Sequence, residues 1–502
     1  MKKIPEISCG SSLALANIPI MTYEEFAAEL KRRLAGGARL VAYFAGGADQ
    51  SRRLHLYILM TGCVGSLAVF STEAAEVLPS LVPECPQVHL FEREIGEQYG
   101  IVFQGHPWFK PVRFQAPLPG RPDTWGIPRD RPRIGDMDYY QVQGDEIHEV
   151  AVGPVHAGII EPGHFRFQCY GEKVLHLEIS LGYQHRGIEE LLAGGPGHET
   201  PARIETVAGD TTLGHITAYS TVVEALCCCA APTRATAIRT AALELERLAN
   251  HVGDIGALAG DIGFLPTASY CGRLRGDYLN MTAAICGSRL GRGLVRPGGV
   301  LFDLEPQRAR ELLKKMTEVA AQTRGALDLF FETPSVLARL EGTGTITTRD
   351  AIDLGLTGMA ARACGIDCDC RRHMVAPGGQ AVQEIVETSG DVYARARVRQ
   401  REIEYSLEYL KTNLDALPVG PLTTPLEGLQ PGAMAFGMTE GWRGAITHVA
   451  ITDDTGHFSR YKIVDPSFFN WSGLAMALRN EQISDFPLCN KSFNLSYCGF
   501  DL

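Results

Sequence analysis

The chain has 502 residues, of which 45% are hydrophobic and 21% charged, and its formal net charge is −11 at pH 7. This composition is typical of a globular protein and excludes wholesale disorder. The acidic balance argues against nucleic acid as a partner, because phosphate binding depends on clustered Lys and Arg. At roughly 100–200 residues per domain, the length indicates two to four domains.

The N-terminal segment and the cysteines predict an intracellular protein. The first residues lead into Glu6 and Ser8 without the apolar core of a signal peptide, so we do not expect export. The 14 cysteines are then interpreted as reduced thiols of a cytosol. The most apolar stretch, 54–70, is interrupted by Thr61 and Gly62 and fits two strands better than a membrane-spanning helix. Work at a membrane would therefore require partner subunits.

Residues 1–112 predict a small α+β domain. Thr22 and Glu25 have the spacing of a capping box, and the helix that they open carries Phe26 and Leu30 at helical spacing. Strand-like runs follow at 39–44, 54–60 and 67–70. Prolines then cluster between charged residues, at positions 117, 119, 122, 128 and 132. This pattern predicts a linker or surface arm over 113–145.

The sequence pattern of residues 146–502 predicts a larger, mainly helical domain with β-hairpins at its two ends. Segments 164–170 and 173–180 flank Gly171 as a hairpin would, and 445–451 and 460–464 flank an Asp-Asp-Thr-Gly turn. Helical periodicity covers 232–253, 306–331 and 396–412. In the first of these helices, Glu246 and Asn250 lie four residues apart. The predicted fold class is therefore α+β.

Two glycine-rich segments hold residues suited to proton or cofactor chemistry. His156, Glu161 and His164 lie in a loop before the first hairpin, where they would form a proton relay or an exposed turn. His185 and Arg186 lie among glycines and are followed by Glu189. These residues would either contact a cofactor or only cap the start of a helix. The residue types leave both choices open.

The cysteines give a weaker signal for a metal. Cys364, Cys368 and Cys370 lie close to His373, yet zinc ligands usually come as Cys-x-x-Cys pairs at two places in the chain, so metal binding there stays open. The run 227–229 is predicted to pack within an apolar helix. The sequence has no nucleotide-binding glycine motif and no cysteine array for an iron–sulfur cluster. Electron carriers are therefore expected on partner subunits.

Two regions resemble known respiratory subunits. Residues 91–101, with Gly105-His-Pro, resemble the small peripheral-arm subunit of respiratory complex I. Residues 153–156, Glu161, 182–187 and 465–470 resemble the large quinone-module subunit of complex I and the related large subunit of membrane-bound NiFe hydrogenases. Their order and fusion are most similar to the hydrogenase-4 and formate hydrogenlyase large subunit. The resemblance covers nearly the whole chain and implies a NiFe-hydrogenase-large-subunit-like domain after the small one.

The resemblance also shows where this chain departs from its relatives. In nickel-loaded members four Cys thiolates hold nickel and iron, since soft sulfur donors suit these metals. The corresponding positions here are Ala208, Thr211, Ser496 and Gly499, and Cys498 is one place out of register. One thiolate cannot replace four. The comparison therefore implies that this chain binds no NiFe centre and no other cofactor of its own.

Other family positions are retained. Glu161 matches the proton-transfer Glu, Arg443 matches the Arg over the hydrogenase active site, and Asp210 would lie in the emptied pocket. His164 fits the His that meets quinone in complex I, whereas the quinone-binding Tyr falls near Gly209. Quinone binding stays possible, with His156, His185 and Arg186 expected to face it or a partner's cluster. Alternatively, Glu161 and Arg443 form an ion pair in an inert scaffold.

The resemblance implies a redox and ion-translocating role. The chain would be a subunit of a complex-I-like, hydrogenase-related assembly, in the cytoplasm on the inner face of the cell membrane. Its pocket would face the iron–sulfur cluster of a small subunit, with ferredoxin-like and antiporter-like membrane subunits as further partners. Glu161, His164, Asp210 and Arg443 are the expected proton-handling residues. The alternatives are a quinone oxidoreductase subunit, an active NiFe hydrogenase with atypical ligands, and a structural scaffold.

Overall fold

A computed structural model of the chain describes residues 3–48, 53–126, 134–156, 160–373 and 382–502. Pro128 and Pro132 of the predicted linker lie outside these ranges, as does the side chain of His373. Within them, no helix combines the length and the apolar character needed to cross a bilayer.

The N-terminal unit is a sheet covered by helices. Its elements in chain order are β1 Glu6–Ser8, β2 Ser12–Ala14, β3 Ile20–Met21, α1 Tyr23–Ala35, β4 Leu40–Ala48, β5 Leu54–Thr61, β6 Ser66–Glu73, β7 Val77–Pro79, α2 His89–Tyr99 and β8 Val102–Gln104. The main sheet has the order β1-β6-β5-β4, with β3 parallel to β6. The predicted capping box at Thr22 and Glu25 is confirmed at the start of α1.

The large unit combines long helices with two sheets. Its first elements are β9 Ile147–Val152, β10 His164–Tyr170, β11 Lys173–Ser180, α3 Ile188–Leu192, α4 Thr200–Ile204, α5 Thr212–Leu226, α6 Thr233–Asp261, α7 Leu265–Cys286, β12 Val295–Arg296 and β13 Gly299–Val300. The helices α8 Pro306–Glu332, α9 Pro334–Leu340, α10 Thr348–Asp353, α11 Gly358–Arg362, α12 Cys370–His373 and α13 Val392–Asp415 follow. The remaining elements are β14 Ala433–Glu440, β15 Ala445–Thr452, β16 Phe458–Val464, α14 Pro466–Ala477, α15 Phe486–Phe493 and α16 Tyr497–Phe500.

Helix α6 is the central element of the large unit. It packs against α7 and α13, and α8 packs against both of these helices. The apolar residues of α6 recur at helical spacing, so that Ile238, Leu245, Leu248 and Val252 are all buried. The three predicted long helices and both predicted hairpins are confirmed; α6 and α8 continue past their predicted C-terminal ends, and α13 extends past both of its predicted ends.

The two units are joined by strand pairing and by buried charges. β2 pairs with β14, which gives a sheet of order β16-β15-β14-β2. Lys462 of β16 donates to Glu94 of α2 at 2.7 Å and to Glu189 of α3 at 2.9 Å. Arg113, the first residue of the predicted linker, is buried and pairs with the same Glu94. The chain at this point therefore runs through the interior rather than over the surface.

One local prediction is confirmed only in part. Cys227 and Cys229 pack against the core as expected, but the run 227–229 is not helical, because α5 ends at Leu226. Cys228 is exposed and has a φ of +50°, in the left-handed region. Helical periodicity could not locate this end, since the residues that follow are as apolar as those before.

Candidate functional site

A buried arginine and a carboxylate form the centre of the candidate site. Arg443 lies in the turn between β14 and β15, and Asp210 lies two residues before α5 begins. The guanidinium Nη1 and Nη2 donate to the two Asp210 carboxylate oxygens at 2.7 and 2.8 Å. This is the bidentate geometry of a strong Arg–carboxylate pair. The Arg443 side chain is 5% exposed and that of Asp210 is 37% exposed, so solvent reaches the pair through the carboxylate.

Neighbouring polar groups hold this pair in place. The Thr211 hydroxyl donates to Asp210 at 2.9 Å and accepts from Arg443 at 3.2 Å. The guanidinium also lies over the Trp442 ring, 3.8 Å from its centroid. Asn250 of α6 donates to the Asp210 backbone carbonyl at 3.0 Å. Sequence analysis did not predict these roles for Trp442 and Asn250, because their contacts are with residues far away in the chain.

The charges of the pair stabilise one another. Burial by itself raises the pKa of Asp210, but the Arg443 guanidinium outweighs this effect and holds the pKa below its ordinary value. Burial would lower the pKa of Arg443, and the Asp210 carboxylate instead raises it. Both groups are therefore ionised at neutral pH.

Glu161 reaches the same region through Cys498. Its carboxylate accepts from the Tyr497 backbone N–H at 3.3 Å and is within hydrogen-bonding reach of the Cys498 thiol. The Gly209 backbone contacts the same sulfur. Burial raises the pKa of Cys498 to about 11, and the Glu161 charge adds to this effect. The alternative of a Glu161–Arg443 ion pair is wrong, since Arg443 pairs with Asp210.

The four positions predicted to correspond to the family's metal ligands are Ala208, Thr211, Ser496 and Gly499. Ala208 is buried, and the Thr211 hydroxyl is engaged by Asp210 and Arg443. Ser496 caps α16 by accepting from the Gly499 N–H at 2.9 Å. A Cβ atom at Gly499 would lie 2.7 Å from the Asp465 carboxyl carbon, closer than side chains approach. The Asp465 carboxylate therefore fills the space that a side chain at 499 would need.

The predicted histidines lie apart from the Asp210–Arg443 pair. His164 contacts the Gly153 carbonyl and accepts from Arg166 at 3.2 Å, on the β9–β11 sheet. Burial lowers its pKa. His156 contacts the Gly163 carbonyl at 3.0 Å. Their roles toward quinone or a partner's cluster stay predictions.

The side chains of the 182–187 segment bond to backbone groups of neighbouring segments, and their roles toward quinone or a partner's cluster stay predictions. Arg186 donates to the carbonyls of Thr206 and Val207, at 2.8 and 3.0 Å, just before Ala208. His185 is bonded to the backbone near Asp501, and burial lowers its pKa to about 4. Both side chains therefore hold the segments that carry the pocket residues in position.

A chain of buried hydrogen bonds begins at Asp465, the residue beside Gly499. His215 contacts Asp465 at 3.2 Å and His448 at 3.0 Å, and His448 contacts the Tyr461 hydroxyl at 2.9 Å. Burial, with the neighbouring His215, keeps the pKa of His448 well below its ordinary value. Sequence reasoning did not find this chain, because its members come from α5, β15, β16 and the start of α14.

The cysteines near residue 370 act as buried thiols in the described part of the chain. Cys364 donates to the Ala360 carbonyl at 3.4 Å and Cys368 to the Gly358 carbonyl at 3.7 Å. Burial raises the pKa of Cys364 to about 11. Among the described residues, no group of three His, Cys, Asp or Glu side chains is arranged to hold a metal ion.

Fold and site together define a two-unit subunit of the complex I type. Residues 22–128 match the family of the 30 Kd subunit of respiratory-chain NADH dehydrogenase, and residues 261–430 match that of its 49 Kd subunit. Formate hydrogenlyase subunit 5 of Escherichia coli is 30% identical over 438 residues, which cover 84% of this chain and 76% of that protein. The chain belongs to this family of fused, complex-I-like and hydrogenase-related subunits, as the motifs predicted.

Other relatives span both branches of the family. Hydrogenase-4 component G of Escherichia coli is 29% identical over 84% of this chain and 75% of its own length. NADH-quinone oxidoreductase subunit 4 of Thermus thermophilus is 30% identical over 68% of this chain and 90% of its own length. A chain of the archaeal membrane-bound sulfane sulfur reductase has the same fold, with a TM-score of 0.66 and 23% identity, over 72% of this chain and all of that one. The domain bounds 1–112, 113–145 and 146–502 stay a prediction.

Proposed function

We propose that this chain is the pocket-bearing subunit of a membrane-associated redox complex, and that its pocket moves protons to a substrate reduced by a partner's iron–sulfur cluster. The proposal rests on the bidentate Asp210–Arg443 pair, in which Asp210 lies between Ala208 and Thr211, two positions that the resemblance assigns to the family's metal ligands. An iron–sulfur small subunit, a ferredoxin-like subunit and antiporter-like membrane subunits are the proposed partners. They would hold the chain at the inner face of the membrane.

The donors around the pocket do not fit a NiFe centre. Four soft thiolates are needed, and Cys498 is the single cysteine of the 208–211 and 496–499 segments. Burial and the Glu161 charge raise the pKa of this thiol to about 11. The Asp465 carboxylate takes the space beside Gly499. We therefore derive no step through nickel or iron bound by this chain.

The residues present are suited to charge stabilisation and proton transfer. Arg443 is held rigidly and stays cationic, so it would stabilise negative charge that develops on a substrate during reduction. Asp210 stays ionised and fixes the guanidinium. Glu161 is half-buried beside Cys498 and would carry protons between solvent and the pocket. The electrons would come from the partner's cluster.

Nickel content tests the proposal directly. We expect the complex, gently purified from its native membranes, to contain iron from its partners but only background nickel per copy of this chain. Elemental analysis by mass spectrometry measures the iron and the nickel content in one sample. Near-stoichiometric nickel would contradict the proposal and make Cys498 the first candidate ligand.

Substitution of Glu161 tests proton transfer. We expect Glu161→Ala to abolish coupled ion transport in inverted membrane vesicles while the complex remains assembled. Reduced methyl viologen is the electron donor, with protons, a soluble quinone or polysulfide as acceptor in parallel reactions. Glu190→Gln, at an exposed position of α3, is the control and should leave transport unchanged. Unchanged transport in Glu161→Ala would favour a structural scaffold.

The acceptor reactions also separate the alternatives. Hydrogen formation without nickel is not expected from the donors present. Quinone reduction is the second candidate function, and the NADH-quinone oxidoreductase relatives favour it. There is also open space beside Gly209, since a Cβ atom added at this glycine would have no other residue's atoms within 4 Å. Inhibition of viologen oxidation by quinone-site ligands would support it.

A further inference from the structure

A small cleft leads to Asp210. It lies between the start of α5, α6 and the end of α7, and its lining includes Glu246, Asn250, Arg275 and Arg289. Arg275 and Arg289 are exposed, so the cleft opens to solvent. Its volume of about 10 Å³ is close to the smallest that can hold one water molecule.

Glu246 is oriented into this cleft by backbone groups. Its two carboxylate oxygens accept from the Leu213 and Gly214 N–H groups, at 2.8 and 3.2 Å, at the start of α5. Asn250, one turn further along α6, donates to the Glu246 carbonyl at 2.9 Å and to the Asp210 carbonyl at 3.0 Å. The four-residue spacing in the sequence thus brings Glu246 next to the loop of Asp210.

The charges around Glu246 differ from those around Asp210. In the described part of the chain, no Lys, Arg or His forms a salt bridge with Glu246, although it is only 9% exposed. Asp210 faces it from the loop before α5, Arg247 from α6, and Arg275 and Arg289 from α7 and the turn after it. Burial, aided by the Asp210 charge, raises the pKa of Glu246 to about 8 against the opposing effect of the two N–H donors.

The two neighbouring carboxyl groups therefore have different protonation states. Asp210 is kept ionised by Arg443, whereas Glu246 gains and loses a proton near neutral pH. We propose that Glu246 is a second proton-transfer group of the pocket, which delivers protons from the Arg275–Arg289 cleft past Asp210 to the substrate. This inference rests on the proposed function and adds a route distinct from Glu161.

The transfer balances without any change in oxidation state. The Glu246 carboxyl gives its proton to a water molecule in the cleft, which passes a proton to the group being protonated beside Arg443. The resulting carboxylate is stabilised by the two N–H donors of α5. Solvent entering between Arg275 and Arg289 then returns a proton to it.

Glu246→Gln in the assembled complex tests the inference. We expect viologen oxidation to fall by about 10²-fold, the usual effect of losing a proton-transfer group. The wild-type rate should decline above about pH 8, where Glu246 loses its proton, and the variant should lack that step. Infrared difference spectra should show a protonated carboxyl band that titrates near pH 8 in the wild type and is missing in the variant.

Glu92→Gln is the matched control. Glu92 is also buried and accepts from a backbone N–H, that of Leu81 at 2.7 Å, and burial raises its pKa to about 7, but it lies in the N-terminal unit. Its substitution should leave viologen oxidation and its pH profile unchanged. Glu246→Asp, which keeps a carboxyl group, should restore part of the rate and of the titrating band.

The outcomes separate this inference from the proposed function. Loss of activity in Asp210→Asn and Glu161→Ala, with a normal rate and pH profile in Glu246→Gln, would overturn only the role of Glu246. Normal activity in all three variants would overturn the proposed function itself. A Glu246→Gln complex that loses rate without losing the infrared band near pH 8 would also contradict the proton-transfer role.

Discussion

The Asp210–Arg443 pair illustrates how partial exposure to solvent limits the contribution of a salt bridge to the stability of the fold. Arg443 has almost no contact with solvent, so the loss of its partner would leave a buried cation. Asp210 is 37% exposed, so water would partly screen the charge left on Arg443 after such a change. The Asp210–Arg443 pair therefore contributes less to the free energy of unfolding than a fully buried pair would.

We expect Asp210→Asn to lower the free energy of unfolding by about 1–2 kcal/mol, below the roughly 3–5 kcal/mol of a fully buried pair. Because the folded-state pKa of Asp210 is lowered, its stabilisation is present above the ordinary Asp pKa and is lost as the pH falls below it. Thermal unfolding of the purified complex at neutral and acidic pH measures this difference. If the difference in stability between wild type and Asp210→Asn grew larger at acidic pH, this prediction would be wrong.

Helix α6 shows how an element positions a site through its packing. Glu246 and Asn250 line the cleft between α6 and the end of α7, and one to two turns further along α6 the two helices lie in close contact. A Cβ atom at Gly256 would lie 2.7 Å from the Cys271 Cβ, so the two helices approach through this glycine. Gly260, one turn further on, has no atom within 4 Å of the same position.

We expect Gly256→Ala to destabilise the protein by about 1–2 kcal/mol, although alanine favours a helix by about 1 kcal/mol over glycine. The added methyl group must push α7 away, and this overpacking outweighs the gain in helix propensity. Gly260→Ala, the control on the same helix, should be neutral or stabilising by up to about 1 kcal/mol. Thermal unfolding of both variants measures the contrast. Equal stability would show that α7 can shift at little cost.

At the scale of the molecule, buried charges join the two units. Lys462 is 1% exposed and lies between Glu94 of the N-terminal unit and Glu189 of the large unit. Burial alone would raise the pKa of Glu189, but Lys462, Arg460 and Arg113 lower it to about 2. The units are thus held together by charges that neither could bury alone.

We expect Lys462→Met to cost about 3 kcal/mol, at the lower end of the range for breaking a buried pair, because Glu94 keeps Arg113 and Glu189 keeps Arg460 as partners. Lys31→Met, which breaks the exposed pair with Glu84, should cost less than about 1 kcal/mol. In the wild type, the stabilisation from Glu189 is present above the ordinary Glu pKa and declines as the pH falls toward about 2. Urea unfolding at neutral pH compares the variants. Similar losses for both would contradict a special role for the buried pair.

The sequence alone determined the α+β class, the long helices at 232–253, 306–331 and 396–412, and both hairpins, because periodicity and turn residues act over a few neighbours. Its motifs also identified the family and pointed to Asp210 and Arg443. The tertiary structure alone decided that these two residues pair and that Glu161 meets Cys498 instead. It also brought Glu246 beside Asp210 and the Asp465 carboxylate beside Gly499. These contacts join residues far apart in the chain, and their energies depend on burial and on the charge of distant partners, which local sequence does not encode.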